Sequence, residues 1–249
     1  MICCREGGAV TGLNARMGNV VRMVLPFNRR TFDVLRHELR ALGTTVGNAL
    51  NPSHHCAVAR LRRRRELSIN LGSGGRGLKG WVNVELRPAA DTTICLDIRR
   101  RLPFADGSAR RIFAEHVVEH LDFKDDVPRL LAEFHRILAP GGVVRIVVPD
   151  AGRFLEAYAK RDNDLWKALG WDLQALPDDI HTAMHAVNHI FHQSGEHLFA
   201  YDFETVAYAL RRAGFREVHQ RACGLSGDEH LAIDQIHHAL YSLYAEAVR

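Results

Sequence analysis

The sequence predicts an α/β fold, a doubly wound and mostly parallel sheet preceded by a helical N-terminal extension. Apolar strand-like runs alternate with amphipathic helices from residue 66 onward, and a glycine-rich turn follows the first of these runs. Residues 143–148 are apolar on both faces, which is typical of a central parallel strand covered by helices. Such sheets bind ligands in a crevice at the carboxyl ends of their strands.

The individual elements follow from local patterns. We expect seven strands, at residues 67–71, 81–86, 92–98, 109–114, 143–148, 215–220 and 240–248. Asp125 or Asp126 is expected to begin a helix after the fourth strand, and Asp202 a later one. The segment Pro140-Gly141-Gly142 is expected to end the first of these helices, because proline lacks an amide donor.

Residues 1–65 are expected to be an extension, because so short a segment does not bury a core of its own. Its glycine-rich beginning predicts little fixed structure. One helix is predicted next, capped by Asn28 or Thr31 and ended at Gly43, on apolar residues at helical steps: Phe32, Leu35, Leu39 and Leu42. We expect an irregular stretch around Asn51-Pro52 and then a domain over residues 66–249.

Composition excludes several classes of protein. With 249 residues, 47% of them hydrophobic and 25% charged, the chain has the balance of a globular protein rather than of a disordered, collagen-like or coiled-coil one. No apolar run is long enough to span a bilayer, and residues 1–10 contain no apolar signal region. We therefore expect a cytoplasmic protein with no membrane partner. Five cysteines without C-x-x-C spacing argue against a disulfide framework and a thiolate zinc site.

The positive charge is mild and locally concentrated. The net charge is +4, and arginines cluster at residues 60–65. Such a run either binds the phosphates of a nucleic acid or is a solvated approach to the first strand.

The glycine-rich turn is the most informative segment. It matches G-x-G-x-x-G at Gly72, Gly74 and Gly77, and the absence of side chains there lets a ligand approach the backbone. Glu85, at the end of the next strand, presents a carboxylate that can accept both hydroxyls of a ribose; the alternative is an exposed strand end.

The spacing disfavours a nicotinamide cofactor. Dinucleotide folds place a helix between the two strands and an acid about 20 residues beyond the last glycine. Glu85 lies only eight positions after Gly77, so a pyrophosphate would lack its usual helix N-terminus. A cofactor without phosphates is favoured.

Several motifs in this order carry a family resemblance. They are N-L-G-S-G at 70–74, G-W-V-N-V-E at 80–85, L-P-F-A-D-G-S at 102–108, E-H-V-V-E-H-L at 115–121, L-A-P-G-G at 138–142 and V-V-P-D at 147–150. The sequence resembles the class I S-adenosylmethionine-dependent methyltransferases, and within them the type 11-like domains of a small bacterial branch with a shortened first crossover. The resemblance covers residues 66–160 well and 200–249 loosely, and it implies a Rossmann-like, seven-stranded sheet.

The resemblance implies S-adenosylmethionine as cofactor and gives roles to individual residues. The turn residues Gly72, Ser73, Gly74 and Gly77 would border its methionine part, and Glu85 would hold the ribose. Asp97 and Ile98 would lie at the adenine, although Asp97 is equally suited to capping a turn. Contacts from Arg76 or Lys79 are left open by the short connection.

Methyl transfer from a sulfonium needs a base only when the acceptor must lose a proton. His116, just past the fourth strand, would face the sulfonium and the acceptor. We take His116, His189 and His197 as candidate bases, followed by Tyr201. Glu119 and His120 are expected to anchor the following helix.

Four histidines, at residues 181, 185, 189 and 192, fall at helical steps on a helix predicted to begin near Asp178. Two of them four positions apart would bind a metal with Asp178 or Asp202 as a further ligand, or the histidines would line the acceptor pocket or lie on the surface. We assign no metal site from this pattern.

The acceptor is expected to be a small molecule or a sugar, methylated at oxygen. Residues 115–118 lack the Asn/Asp-Pro-Pro-aromatic motif that often accompanies methylation of base nitrogens. Residues 161–199, an insertion on the acceptor side, would recognise the acceptor, or Trp166 and Trp171 within it would form a satellite core. The alternatives are an RNA methyltransferase recruited through the arginine run and a catalytically inactive cofactor-binding subunit.

Overall fold

The computed structural model describes residues 29–170 and 180–249. The predicted unstructured beginning, the Asn28 cap, Trp171 and Asp178 lie outside these residues. Contacts divide the chain into two compact units, Met1–Gly43 and Thr44–Arg249. In the part of the chain that the structure describes, none of the helices combines the length and apolar character needed to cross a membrane.

The N-terminal helices differ from the prediction. Helix α1 (Arg29–Leu50) continues through Gly43, and α2 (Pro52–Arg63) replaces the predicted irregular stretch. A glycine inside a helix costs only about 1 kcal/mol, which does not end a helix of this length. Asn51 caps α2 by accepting a hydrogen bond from the Ser53 N–H, and Pro52 occupies the first turn, where its missing donor is not needed.

The two helices expose and bury different apolar groups. In α1 the side chains of Leu35, Leu39 and Leu42 are exposed. In α2 the side chain of Leu61 is buried in the central core, and Val58 packs against the same core. The arginine run, which ends α2 and continues beyond it, is exposed.

The seven strands form one sheet in the order β3-β2-β1-β4-β5-β7-β6. Their bounds are β1 (Leu67–Leu71), β2 (Val82–Glu85), β3 (Ile94–Cys95), β4 (Ala109–Glu115), β5 (Leu138–Pro149), β6 (Glu217–Arg221) and β7 (Ser242–Val248). The first five strands are parallel, and β7 runs antiparallel to its neighbours β5 and β6. The predicted Rossmann-like class is confirmed, although β3 pairs over only two residues.

Helices α3 (Asp126–Ile137) and α7 (Phe203–Arg212) flank the sheet. Helix α3 ends at Ile137, before Pro140, and the Pro-Gly-Gly segment belongs to β5 instead. Asp202 caps α7, as predicted, by accepting a hydrogen bond from the Thr205 N–H. No helix separates β1 from β2, which leaves the glycine turn directly between two neighbouring strands.

The helices α4 (Ala151–Ala159), α5 (Asp164–Ala168) and α6 (Ala183–His192) lie between β5 and α7. They share a core of their own, in which Trp166 packs with Phe154, Val187 and Ile190. The satellite-core interpretation of Trp166 is therefore the one that the packing supports. Helix α6 begins after its cap Thr182, so His181 precedes the helix.

Candidate active site

The glycines of the turn meet three different steric requirements. Gly72 and Gly74 have φ angles of +61° and +53°, a region that side chains disfavour. A Cβ at Gly72 would lie 2.4 Å from Cγ2 of Val117, whereas one at Gly74 would meet only open space. A Cβ at Gly77 would lie 2.0 Å from that of Asp91. Gly72 and Gly77 thus allow close packing, and Gly74 keeps one side of the turn open.

The turn borders a small cavity that is open to solvent. Its lining residues are Asn70, Gly72, Ser73, Arg76, Leu78, Phe113, Glu115 and Gln235. The Oγ atom of Ser73 is buried and has no hydrogen-bond partner among the described residues. A buried hydroxyl without a partner is costly, so this atom is suited to a polar group of a ligand.

Glu85 lies at the end of β2 and points its carboxylate at the turn. Oε2 accepts a hydrogen bond from the Gly74 N–H at 2.8 Å, and Oε1 accepts one from the Leu86 N–H at 2.7 Å. A carboxylate offers about four acceptor sites. Each oxygen of Glu85 therefore retains capacity for a further hydroxyl.

The carboxylate of Asp97 already forms an ion pair within the chain. Its carboxylate oxygens lie 2.9 Å from Nε and 3.0 Å from Nη2 of Arg99, a bidentate ion pair. Burial alone would raise the pKa of Asp97, but the hydrogen bonds and charge of Arg99 outweigh burial and lower it. Ile98 is partly buried and packs against the central core. The adenine contact of both residues stays a prediction.

Glu115, which the sequence did not single out, is the best-connected carboxylate of the cavity. It accepts hydrogen bonds from Arg76 at 2.9 Å, from the backbone and side chain of Gln235 at 3.0 Å each, and from Nδ1 of His238 at 3.1 Å. Burial alone would raise the pKa of Glu115, but the hydrogen bonds from His238 and Gln235 lower it to about 2. Arg76, left open by the resemblance, also donates to the carbonyl of Ile233.

His116 is fixed at both ring nitrogens. Nδ1 lies 3.0 Å from Oε1 of Glu119, and Nε2 lies 2.9 Å from Oγ of Ser242. The φ angle of His116 is +53°, so the chain turns sharply at the end of β4. Glu119 is 1% exposed. Burial alone would raise the pKa of Glu119, but the hydrogen bond from His116 and the neighbouring histidines lower it.

His197 approaches the same carboxylate from a distant part of the chain. It is buried, its Nδ1 lies 2.6 Å from the carbonyl oxygen of Ile190, and burial lowers its pKa. Its ring lies 5.0 Å from that of His120. The structure thus gathers His116 and His197 around Glu119, which lies in a short 3-10 turn (Val118–His120) rather than anchoring α3.

The remaining candidate bases and metal ligands lie elsewhere in the chain, already make hydrogen bonds within it, or are buried. His189 is partly buried in the last turn of α6, and His185 Nδ1 accepts a hydrogen bond from the His181 N–H. Asp202, an alternative metal ligand by sequence, is the cap of α7. Tyr201 is 1% exposed and burial raises its pKa, so it is protonated at neutral pH and unsuited to act as a base.

The comparison with protein families supplies the deciding observation. A sequence profile described as a methyltransferase domain matches residues 80–146, which run from just before β2 into β5. Residues 80–146 thus carry the sequence of a methyltransferase domain, as the motifs predict. The match covers β2, β3 and β4, and the glycine turn lies just before it.

Solved structures similar to this chain have low sequence identity. One is an S-adenosylmethionine-dependent methyltransferase from Archaeoglobus fulgidus, with 13% identity, a TM-score of 0.45 and coverage of 83% of this chain and 94% of that one. Another, from Mesorhizobium loti, has 16% identity, a TM-score of 0.44 and coverage of 81% and 100%. A third is the 1,6-didemethyltoxoflavin-N1-methyltransferase of Burkholderia thailandensis, with 14% identity, a TM-score of 0.43 and coverage of 90% and 91%. No curated protein sequence matches this chain significantly.

The turn fits S-adenosylmethionine, the cofactor that the resemblance implies. The ligand carries an amino acid and a nucleoside but no phosphate, and the chain offers no helix N-terminus between β1 and β2. The buried, unpartnered Ser73 hydroxyl and the open side at Gly74 suit the polar amino-acid part.

Proposed function

We propose that this methyltransferase methylates a hydroxyl group of a small-molecule or sugar acceptor. Gly72, Ser73 and Gly74 border the methionine part of the cofactor, and Glu85 holds the ribose. Asp97 and Ile98 lie toward the adenine. The proposal is carried by one observation, the fixation of His116 between the buried Glu119 carboxylate and Ser242.

The chemistry of methyl transfer explains why the pair of His116 and Glu119 favours a hydroxyl as the methyl acceptor. Bound S-adenosylmethionine supplies a methyl group that is already activated, so alignment provides much of the catalysis. A hydroxyl acceptor must in addition lose its proton, and a positioned histidine is the commonest group for this task. His116 lies one residue beyond Glu115, which lines the cavity.

The neighbours of His116 determine what its ring does. A carboxylate at Nδ1 holds the proton there, orients the ring and leaves Nε2 as the proton acceptor. Ser242 donates to Nε2 in this arrangement, and the acceptor hydroxyl takes the place of Ser242 when it gives up its proton. The Glu119 carboxylate then stabilises the imidazolium.

A labelled-methyl screen tests the acceptor class. The protein is incubated with S-adenosylmethionine labelled in the methyl group and with a cell extract separated into small-molecule, nucleic-acid and protein fractions. We expect label in the small-molecule fraction, on an oxygen. Label on RNA, or on nitrogen or carbon, would contradict the proposal.

The His116→Gln variant tests the base with an acceptor found in this screen. We expect kcat to fall by about 10²- to 10⁴-fold, while the affinity for S-adenosylhomocysteine stays unchanged because His116 does not hold the cofactor. His219→Gln, at an exposed strand position, is the matched control. Unchanged turnover in His116→Gln would refute the role of this residue.

A second candidate function, RNA methylation, is favoured by the exposed arginine run at residues 60–65. It predicts strongly salt-dependent RNA binding that is lost when Arg60, Arg62, Arg63, Arg64 and Arg65 are replaced by glutamine. Cofactor binding without label in any fraction would instead indicate an inactive cofactor-binding subunit.

A further inference from the structure

A cluster of potential metal ligands lies at the carboxyl end of β4, outside the cavity at the glycine turn. It consists of Glu119, His120 and His197, whose nearest ligand atoms all lie within 4.8 Å of one another. Glu119 and His197 are buried, and His120 is exposed. The cluster shares no residue with the four histidines spaced at helical steps near α6.

The hydrogen bonds of His120 and His197 fix the ring tautomer that suits metal binding. Nδ1 of His120 lies 3.0 Å from the carbonyl oxygen of Glu196, and Nδ1 of His197 lies 2.6 Å from that of Ile190. Because a carbonyl oxygen only accepts hydrogen bonds, both Nδ1 atoms carry the ring proton. Nε2 of each ring is left with its lone pair, the arrangement in which a backbone carbonyl orients a metal-binding histidine.

The Glu119 carboxylate is buried, and few polar contacts compensate for its burial. Oε1 lies at ion-pair distance, 3.0 Å, from Nδ1 of His116. Neither Oε1 nor Oε2 makes a hydrogen bond of good geometry to a described residue. A buried carboxylate oxygen without a partner is costly unless a cation or donor compensates it. Ligating carboxylates are commonly oriented by a second polar group, and the ring of His116 lies close enough to Oε1 for this role.

The two segments that carry the ligands are held together by the backbone. The carbonyl oxygen of Glu119 accepts hydrogen bonds from the N–H groups of Leu198 at 2.8 Å and Phe199 at 3.3 Å. Phe199 stacks on Phe123 with ring centroids 4.1 Å apart. The proximity of His197 to Glu119 is therefore fixed by the fold rather than by surface side chains.

We propose that Glu119, His120 and His197 bind a divalent transition-metal ion, best matched by Zn²⁺. Two imidazole nitrogens and one carboxylate oxygen are a donor set for zinc, whereas Ca²⁺ and Mg²⁺ require mainly oxygen ligands. Tetrahedral zinc with bonds of about 2.0–2.1 Å places ligand atoms about 3.4 Å apart, so the side chains move inward by up to about 1.4 Å. Three protein ligands leave a fourth position for water or another ligand. This site does not depend on the proposed acceptor.

Cobalt titration tests the site without any assay of methyl transfer. The tag-free, full-length protein is freed of metal with a chelator and titrated with Co²⁺, whose visible absorption reports nitrogen coordination. Zn²⁺ is then added as a competitor, and bound metal is counted by mass spectrometry. We expect one ion per chain and displacement of Co²⁺ by Zn²⁺.

Variants assign the ligands. His120→Ala and His197→Ala are each expected to weaken binding by at least about tenfold, and Glu119→Gln likewise. The double variant His181→Ala/His185→Ala removes another pair of neighbouring histidines, with ring centroids 5.9 Å apart, and should bind as the unaltered protein does. Because His120 is exposed, its alanine variant should fold normally, and circular dichroism checks this.

The proposal is overturned if the metal-free protein shows no saturable Co²⁺ or Zn²⁺ binding. It is also overturned if His120→Ala binds as tightly as the unaltered protein, or if only the His181/His185 variant loses binding. A rise in the melting temperature on adding Zn²⁺, abolished in His120→Ala, would support it independently, because a ligand bound only by the folded state stabilises that state.

Discussion

Glu115 and Glu119 lie four residues apart, and their neighbours compensate for the burial of the two carboxylates to different extents. Glu115 accepts hydrogen bonds from Arg76, Gln235 and His238, which compensate for its burial. Glu119 faces His116 through one oxygen only. The first carboxylate therefore stabilises the fold around the cavity, and the second has capacity left for chemistry or for a metal.

The lowered pKa of Glu115 predicts a pH-dependent contribution to stability. A carboxylate with a folded-state pKa of about 2 and an ordinary value of 4.5 stabilises the fold above pH 4.5 and loses this effect as the pH falls toward 2. The contribution is roughly 1–3 kcal/mol. Urea unfolding of the unaltered protein and Glu115→Gln between about pH 6 and pH 3 should show the difference in unfolding free energy narrowing toward low pH. A difference that stays constant would contradict this prediction.

Some of these residues can be predicted from the sequence and others cannot, for a physical reason. Glu85 and the glycines of the turn follow from spacing, because the contact between Glu85 and Gly74 spans only 11 positions. His116 and Ser242 are 126 positions apart, and Glu115 and Gln235 are 120 apart. Such contacts depend on the packing of the whole sheet, so no local sequence pattern predicts them.

Among the elements, the turn between β1 and β2 has the strictest steric requirement. Gly72 has a positive φ and lies against Val117, whereas Gly75 has neither constraint. The sequence identified this turn because its pattern is local. The predictions for α1 and α2 were wrong because the local patterns there are ambiguous. Gly43 is compatible with a helix interior as well as with a helix end, and Asn51-Pro52 is compatible with a helix start as well as with a loop.

Gly72→Ala should destabilise the protein by about 1–3 kcal/mol, the cost expected for a strained backbone and an overpacked contact. Gly75→Ala is the matched control, because a Cβ there meets nothing within 4 Å and the φ angle is not positive. Denaturant unfolding of both variants measures the difference. Equal stability of the two variants would show that the contact with Val117 does not constrain the turn.

At the scale of the whole molecule, a buried arginine links the sheet to the segment that closes the cavity. Nε of Arg145, on β5, lies 2.7 Å from Oδ1 of Asp234, and its Nη1 lies 2.7 Å from Oε1 of Glu246 on β7. Asp234 precedes Gln235, which contacts Glu115. This ion-pair network therefore positions the cavity wall, although in the sequence Arg145 only interrupts an apolar strand.

Arg145→Met should lower the free energy of unfolding by about 3–5 kcal/mol, because it leaves the buried Asp234 carboxylate without its cation, whereas Glu246 keeps its ion pair with Arg221. Lys160→Met, which removes the exposed ion pair with Glu156, should cost less than about 1 kcal/mol. Denaturant unfolding compares the two variants. A cost for Arg145→Met as small as that for Lys160→Met would mean that the network does not hold the segment in place.

The central claim is that the open turn and Glu85 together bind a phosphate-free nucleoside cofactor, and calorimetric titration with S-adenosylhomocysteine tests it most directly. The unaltered protein should bind one equivalent. Glu85→Ala should bind about 10- to 100-fold more weakly, because hydrogen bonds to a charged group are lost. Glu217→Ala, at an exposed strand position, should match the unaltered protein. Absence of saturable binding, or unchanged affinity in Glu85→Ala, would contradict the claim.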